Sequence, residues 1–248
     1  MLRYSLLTAG AVAVLSATAG AALADPVAPA VPALTASSSA AIVHLVFLVN
    51  GKKTDSGAEL PAAGSAPPAY NKKTIRTAYS KSTQILGGLT FNRSATTIQT
   101  TATGHATTAT GIAAVGSASV DSFHGTLVSQ LGTLLTVTTG KITSQASFTQ
   151  TKAGVRAVKG GATIGSLTIS APALGINKTF TGTPKPNQVL FHNGDNSVII
   201  FLNRQIKTTV AGKVAALTVD AVDVQVKNFT FAGNTVTGTI VVGPATAR

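Results

Sequence analysis

The sequence predicts an all-β fold: an antiparallel β-sandwich-like or irregular β-sheet domain with few or no helices after an N-terminal signal peptide. Thr, Ala, Val, Gly and Ser dominate the composition, and only 10% of the 248 residues are charged. β-Branched residues favour a pleated backbone, and the 24 glycines suit the turns that join strands. Beyond the N-terminus, no stretch has a sustained apolar stripe of helical period with charged residues opposite it.

The N-terminus has the three parts of a secretory signal peptide. Met1-Leu2-Arg3 is a short positive start, residues 6–22 are small or apolar and uncharged, and Ala22-Leu23-Ala24 is a small-x-small site before Asp25. We expect cleavage after Ala24, so that residues 1–24 are a signal peptide. This predicts a secreted, extracellular or cell-envelope protein with no transmembrane anchor after cleavage. An uncleaved anchor is the alternative, for which the run is barely long enough.

Prolines divide the next part of the chain. Six of the ten lie between Asp25 and Tyr70. Their spacing predicts a Pro/Ala-rich spacer over residues 25–39 and a long loop around residues 52–70, within a single β-rich domain that spans residues 40–248. Between spacer and loop, the apolar run 40–49 and the Asn50-Gly51 pair after it predict a buried strand that enters a hairpin turn.

The middle of the chain is rich in Thr, Ala and Ser. We expect exposed strands over residues 90–110, because Thr favours strands and polar Thr faces can pair across a sheet. Flexible Thr-rich sequence is the alternative. Farther on, Gly160-Gly161 predicts a turn, and the alternating pattern of residues 163–170 predicts a strand.

Five consecutive apolar residues, 198–202, predict a central strand that is buried on both sides. The polar residues 192–197 before it predict a hairpin with residues 189–191. The polar residues Asn203-Arg204-Gln205 follow directly. We interpret them as the rim of the strand.

A phase slip near the C-terminus bears on the possible partners of Arg204. The apolar alternation after Leu217 shifts by one residue at Ala221, which predicts a β-bulge that reorients Asp220 and Asp223. We therefore expect Arg204 to form a structural ion pair with Asp220 or Asp223.

Five short motifs follow one another between residues 165 and 245: Gly165-Ser166-Leu167-Thr168-Ile169, Pro184-Lys185-Pro186-Asn187, Leu202-Asn203-Arg204-Gln205, residues 217–224 and residues 238–245. In this order they resemble the choice-of-anchor P family of secreted bacterial proteins, and the resemblance covers roughly residues 110–246. The resemblance implies a secreted or surface domain and brings no catalytic residues. Members tend to carry Asn-Glu-Gln where this chain has Asn203-Arg204-Gln205, so no role that needs a carboxylate there carries over.

Catalytic and metal-binding patterns are absent from the sequence. Without cysteine, thiol chemistry, disulfides and Cys-ligated metals are excluded, and there is no Gly-x-Ser-x-Gly turn. Asn193 and Asp195 form a Ca²⁺ candidate, although such a pair more often shapes a turn. We therefore predict no enzyme and no cofactor. The histidines lie far apart and in no metal-binding spacing: His44, His105, His124 and His192.

The net charge of +12 favours adsorption to anionic partners. We expect anionic cell-envelope polymers and no nucleic acid, because the cations form no run, Trp is absent and the chain carries an export signal. The predicted function is a non-catalytic envelope or extracellular domain with a structural, adhesive or matrix role. The alternative is a carbohydrate- or polymer-binding module or a hydrolase, against which only 3 Tyr and no Trp are available to stack on sugars.

Overall fold

Two eight-stranded antiparallel sheets pack across an apolar core in the computed structural model, which describes residues 35–107, 111–231 and 233–248. The all-β prediction is confirmed, with one turn of 3₁₀ helix at Pro172–Leu174. Within the described ranges, no helix is long and apolar enough to cross a membrane. The predicted signal peptide and most of the predicted spacer lie outside the described residues.

Sheet A contains the first four and the last four strands. They run in the order β13, β14, β15 and β16. Both β1 and β2 pair with β16, end to end. On their far side β1 pairs with β4, and β2 pairs with β3. The strands are β1 (Ala36–Ala40), β2 (Val43–Val49), β3 (Lys52–Glu59), β4 (Ala62–Ala66), β13 (Gln188–His192), β14 (Val198–Val210), β15 (Lys213–Phe231) and β16 (Asn234–Ala247).

Sheet B is built from the middle of the chain. β5 pairs with β6, and β6 pairs with β7 and with β8. β7 then pairs with β10, and β8 pairs with β9. Both β10 and β9 pair with β11, which pairs with β12. The strands are β5 (Tyr70–Ile85), β6 (Leu89–Thr107), β7 (Gly111–Val120), β8 (Ser122–Ser129), β9 (Gly132–Thr139), β10 (Ile142–Gln150), β11 (Arg156–Ala171) and β12 (Ile176–Gly182).

The long strands change their inward-facing phase by one residue at the same height, a level we call the belt. In β6 the buried residues are odd-numbered up to Ala95 and even-numbered from Ile98, and the residue between them, Thr97, has a φ of 47°. Most neighbouring strands slip together, so their pairing stays in register; the exception is the pairing of β11 with β12, which shifts between Ile164 and Leu167. The belt comprises residues 41–42, 60–61, 96–97, 121, 140–141, 165–166, 203, 221–222 and 243.

The β-bulge predicted at Ala221 is wrong, because Ala221 lies in the belt. Asp220 pairs with Pro244 and Val222 with Val242, so no extra residue is inserted. A bulge is needed when one strand slips against a regular partner; here the partner strand slips at Gly243, whose φ is 63°. The slip still reorients the carboxylates as expected. Asp220 and Asp223 are three residues apart, yet both lie on the outer face of sheet A.

The predicted long loop over residues 52–70 is wrong. These residues form β3 and β4, which meet at Leu60 and Pro61 and connect to β5 at Tyr70. Proline and exposed charge resemble a loop in the sequence, yet both suit an edge strand, and β3 and β4 are at the edge of sheet A. The domain also begins before residue 40, because β1 occupies the end of the predicted spacer.

Two further expectations change with the structure. Gly160 and Gly161 lie inside β11 and not in a turn; at Gly160 the missing side chain lets Gln145 and Val219 approach the strand. The run 198–202 is buried on one side only: Val198, Ile200 and Leu202 are in the core, whereas the residues between them are half-buried on the outer face. The Thr-rich residues 90–107 are strand, as expected, with alternate residues exposed; residues 108–110 lie outside the described residues.

Candidate functional site

Arg204 and Asp223 form an ion pair on the outer face of sheet A. Arg204 Nη1 donates to Asp223 Oδ2, and the guanidinium carbon lies 5.4 Å from the centre of the Phe201 ring. Asp223 is fully buried and also accepts hydrogen bonds from Thr239 Oγ1 at 2.6 Å and Gln225 Nε2 at 2.9 Å. With these donors satisfied inside the protein, the Asp223 carboxylate is a structural group.

Asp220 lies beside this pair without a hydrogen-bond donor among the described residues. It is directly opposite Arg204 in the β14–β15 register, and only 4% of its surface is exposed. Burial, and then the charge of Asp223, raise the pKa of Asp220 to about 7, although Arg204 acts in the opposite direction. The cluster predicted from sequence is thus brought together, with Asp223 as the direct partner of Arg204.

The flanking polar residues of β14 hold the segment that crosses from sheet B to sheet A. Asn203 has a φ of 48° and donates from Nδ2 to the carbonyl of Pro184 at 3.0 Å. Gln205 bonds to other parts of the domain: its N–H donates to Asn187 Oδ1 at 2.7 Å, and its Nε2 donates to the carbonyl of Gly160 at 3.1 Å. The polar residues in the middle of β14 are therefore explained by a structural role, since they hold the incoming segment in place.

Asn193 and Asp195 shape the turn between β13 and β14. Asp195 Oδ1 accepts the N–H of Ser197 at 3.0 Å, which with the Ser197 side chain lowers the pKa of Asp195. Asn193 Oδ1 accepts the N–H of Val198 at 2.8 Å, and its Nδ2 donates to Ser197 Oγ at 2.8 Å. One side-chain oxygen of each residue is therefore used by the turn itself.

The histidines of the described strands stay apart. His44 Nε2 lies 3.0 Å from Asp55 Oδ1, and His124 Nδ1 lies 2.9 Å from Thr138 Oγ1. Asp121, which the sequence places near His124, instead lies 3.8 Å from Lys141 Nζ. In the described part of the chain, no three His, Asp or Glu side chains are grouped to hold a metal ion.

A buried ionic cluster between the sheets was not found by sequence reasoning. Glu59 of β3 accepts hydrogen bonds from Arg93 Nε at 2.8 Å, Tyr79 Oη at 2.5 Å and Lys81 Nζ at 3.0 Å. Burial acts to raise the pKa of Glu59, but these donors outweigh it and hold the pKa below its usual value. One signal was available: Arg93 occupies an inward position between Phe91 and Ala95.

An apolar cavity lies at the end of the sandwich, where Phe47, Leu127 and Ile200 approach Phe229 and Leu174. Its volume of about 60 Å³ is well below the roughly 150 Å³ of an engineered cavity that admits benzene. It is therefore a packing defect between large side chains.

The two sheets differ in charge. Residues 70–182, which form sheet B and its turns, contain ten Lys or Arg residues and one acidic residue, Asp121. Residues 36–66 and 188–248, which form sheet A, contain seven Lys or Arg residues and five acidic residues. Lys72, Lys73 and Arg76 lie exposed on the edge strand β5, and none of them forms an ion pair with a carboxylate of the described residues. The positive charge is therefore concentrated in sheet B.

The outer face of sheet B, which we call the hydroxyl face, carries aligned rows of small polar side chains. Some bond to one another across strands: Thr101 Oγ1 lies 2.6 Å from Ser117 Oγ, as does Thr96 Oγ1 from Ser122 Oγ. Adjacent members of a row are on strands about 4.8 Å apart. The rows include Ser94, His124, Thr138, Thr168 and Thr179; Asn92, Thr126, Thr136, Ser170 and Asn177; Gln99, Ser119, Thr143 and Thr163; and Thr101, Ser117, Gln145 and Gly161.

Comparison with known proteins finds no matching family model and no matching curated protein. The charge and geometry of the two sheets are therefore the features that bear on function.

Proposed function

We propose that this chain is an exported, non-catalytic β domain of the bacterial envelope or extracellular space that adsorbs to anionic surface polymer. The observation that carries the proposal is the excess of cations in sheet B: of its ten basic residues, Lys81 and Arg93 pair with Glu59 and Lys141 lies near Asp121, which leaves seven without a carboxylate partner among the described residues. Such a charge balance attracts polyanions by long-range interactions that salt screens. The role is structural, adhesive or matrix-forming.

Two further features support this proposal. In the described part of the chain, two cations of sheet A are paired with carboxylates of the same sheet, Arg204 with Asp223 and Lys53 with Asp55, which lowers the uncompensated positive charge of that sheet. The motif order that resembles the choice-of-anchor P family, and the signal-peptide pattern of residues 1–24, both favour an extracellular location. Membership of that family stays a hypothesis.

Adsorption is tested on alginate beads, which carry carboxylates, with uncharged dextran beads as control. We expect the mature protein to be retained on alginate at an ionic strength of about 10 mM and released near 0.5 M NaCl, because the Debye length falls from about 30 Å to a few Å over that range. Dextran should retain none of it. Absence of retention on alginate at low salt would contradict the proposal.

Matched charge reversals test the contribution of sheet B. Lys73→Glu with Arg76→Glu alters exposed cations of β5, whereas Lys207→Glu with Lys213→Glu changes the net charge by the same amount on sheet A. We expect the first pair to lower the salt concentration of release much more than the second. Equal effects would mean that total charge, and not sheet B, determines adsorption.

A further inference from the structure

The hydroxyl face has an open depression where a glycine leaves out a side chain. It has a volume of about 670 Å³ and lies over β7, β10 and β11, with Thr183 at its edge. Gly161 points toward it, and a Cβ built on Gly161 meets no heavy atom within 4 Å. A volume of this size is within the range of sites that bind small molecules.

The groups that line the depression are suited to a sugar that carries one negative charge. Ser117, Ser119 and Thr143 supply hydroxyls, Gln145 supplies an amide, and the exposed ammonium group of Lys159 is at the rim. Hydroxyls and amides both donate and accept, as sugar hydroxyls require. No carboxylate is among the lining residues, and the one carboxylate of this sheet, Asp121, lies near Lys141.

The Lys159 ammonium group also indicates which anion the depression binds. A phosphate or sulfate is recognised best by a planar guanidinium that makes two parallel hydrogen bonds, or by several cations together. Here a single ammonium stands among neutral donors, which matches the single charge of a carboxylate. Aromatic rings are absent from the lining, so affinity comes from hydrogen bonds and charge.

We infer that the depression at Gly161 is a subsite for a uronate residue, a carboxylate-bearing sugar, of an extracellular polysaccharide. The inference rests on the proposed function and narrows it from polyanions in general to one polymer class. Lys159 binds the carboxylate, and the hydroxyl and amide groups of β7 and β10 bind the sugar hydroxyls. Polymer extending from the subsite continues along the rows of the hydroxyl face.

The test uses a short oligouronate from alginate, with a neutral malto-oligosaccharide as control ligand. We expect saturable binding of the oligouronate in calorimetry or NMR titration, with a dissociation constant of order 1 mM, and no binding of the neutral sugar. Gly161→Val fills the depression, and we expect at least about tenfold weaker binding. Gly194→Val is the matched control, because Gly194 also has open space around a built Cβ and lies in a distant turn.

Lys159→Gln, with Lys207→Gln as its control, tests the charged contact separately. It should weaken oligouronate binding by about tenfold and leave the circular dichroism spectrum unchanged. If Gly161→Val fails to fold, the Lys159→Gln result alone decides whether the subsite exists. Unchanged affinity of folded Gly161→Val or of Lys159→Gln overturns the subsite, as does equal binding of the neutral sugar. Retention on alginate beads without saturable oligouronate binding overturns the subsite but leaves the proposed function intact, whereas loss of both results overturns both.

Discussion

Arg93 of sheet B donates from its Nε to the Glu59 carboxylate of sheet A over 2.8 Å, and both side chains are almost completely buried. A second guanidinium nitrogen reaches the other carboxylate oxygen, and Nη1 donates to the carbonyl of Phe91 at 3.1 Å. The two residues are at the edge of the sandwich, where β3 approaches β5 and β6. The pair therefore holds the edges of the two sheets together. Either residue stabilises the domain only when the other is present.

Arg93→Met should destabilise the domain by about 3–5 kcal/mol, because it leaves the Glu59 carboxylate buried without its main partner. Chemical denaturation measures the free energy of unfolding. The double variant Glu59→Leu with Arg93→Met removes both charges, and it should recover most of the loss. A loss below about 1 kcal/mol for Arg93→Met would show that water reaches Glu59 in place of the guanidinium.

Asp220→Asn should make the domain more stable, and by more at pH 8 than at pH 5. The folded state keeps the Asp220 proton up to a pKa of about 7, whereas the unfolded chain loses it near 3.8. Between these values the folded state binds more protons, so the contribution of Asp220 to stability falls as the pH rises. Asparagine does not ionise. We expect a gain that grows from pH 5 to pH 8, reaching at most about 4 kcal/mol.

Unfolding of both proteins in urea at pH 5, 6, 7 and 8 measures this difference, and comparison with the wild type cancels the titration of other groups. Asp223→Asn is the matched control, because that carboxylate accepts hydrogen bonds from Arg204, Gln225 and Thr239. It should destabilise the domain throughout the range. A pH-independent effect of Asp220→Asn would mean that Asp220 is ionised in the folded protein at all these values.

Arg204→Ala distinguishes a structural role of the cluster from a binding role. The substitution removes one of three donors to the buried Asp223 carboxylate and the contact with Phe201, so we expect a loss of about 1–3 kcal/mol in unfolding free energy. Retention on alginate should remain close to that of Lys207→Ala, which removes the same charge. Unchanged stability with abolished retention would assign Arg204 to a binding site.

Local patterns in the sequence predicted the fold class, since alternation and β-branched composition act residue by residue. They also brought together Arg204, Asp220 and Asp223, because a one-residue slip at Ala221 is visible in the chain itself. The belt was not predictable in this way. Its register depends on neighbouring strands slipping at the same height, and the sequence of a single strand carries no information about its partner.

The candidate binding surface was hidden for a related reason. Ser117, Gln145 and Gly161 are on three different strands and align only through pairing between β7, β10 and β11. Their separate stretches of sequence look merely polar. The Glu59 cluster likewise joins residues from both sheets, and its Glu was assigned to a loop because proline and charge near residue 61 resemble loop composition.

Gly160 and Gly161 are neighbours on β11 with opposite surroundings, which gives a direct test of sheet packing. A Cβ on Gly160 would lie 2.6 Å from the carbonyl oxygen of Gln145 and 2.6 Å from Val219 Cγ2 of sheet A. A Cβ on Gly161 would meet nothing within 4 Å. Gly160→Ala should therefore cost about 1–3 kcal/mol by forcing the sheets apart.

Gly161→Ala should instead be neutral or stabilise the domain by up to about 1 kcal/mol, because alanine restricts the unfolded chain more than glycine does. Thermal and urea unfolding of the two single variants measure the contrast, and neither substitution changes the charge. Equal effects at the two positions would contradict the close approach of β11 to β15. A smaller cost at Gly160 than at Gly161 would mean that the two faces of β11 are assigned the wrong way round, and the depression at Gly161 would then lie between the sheets.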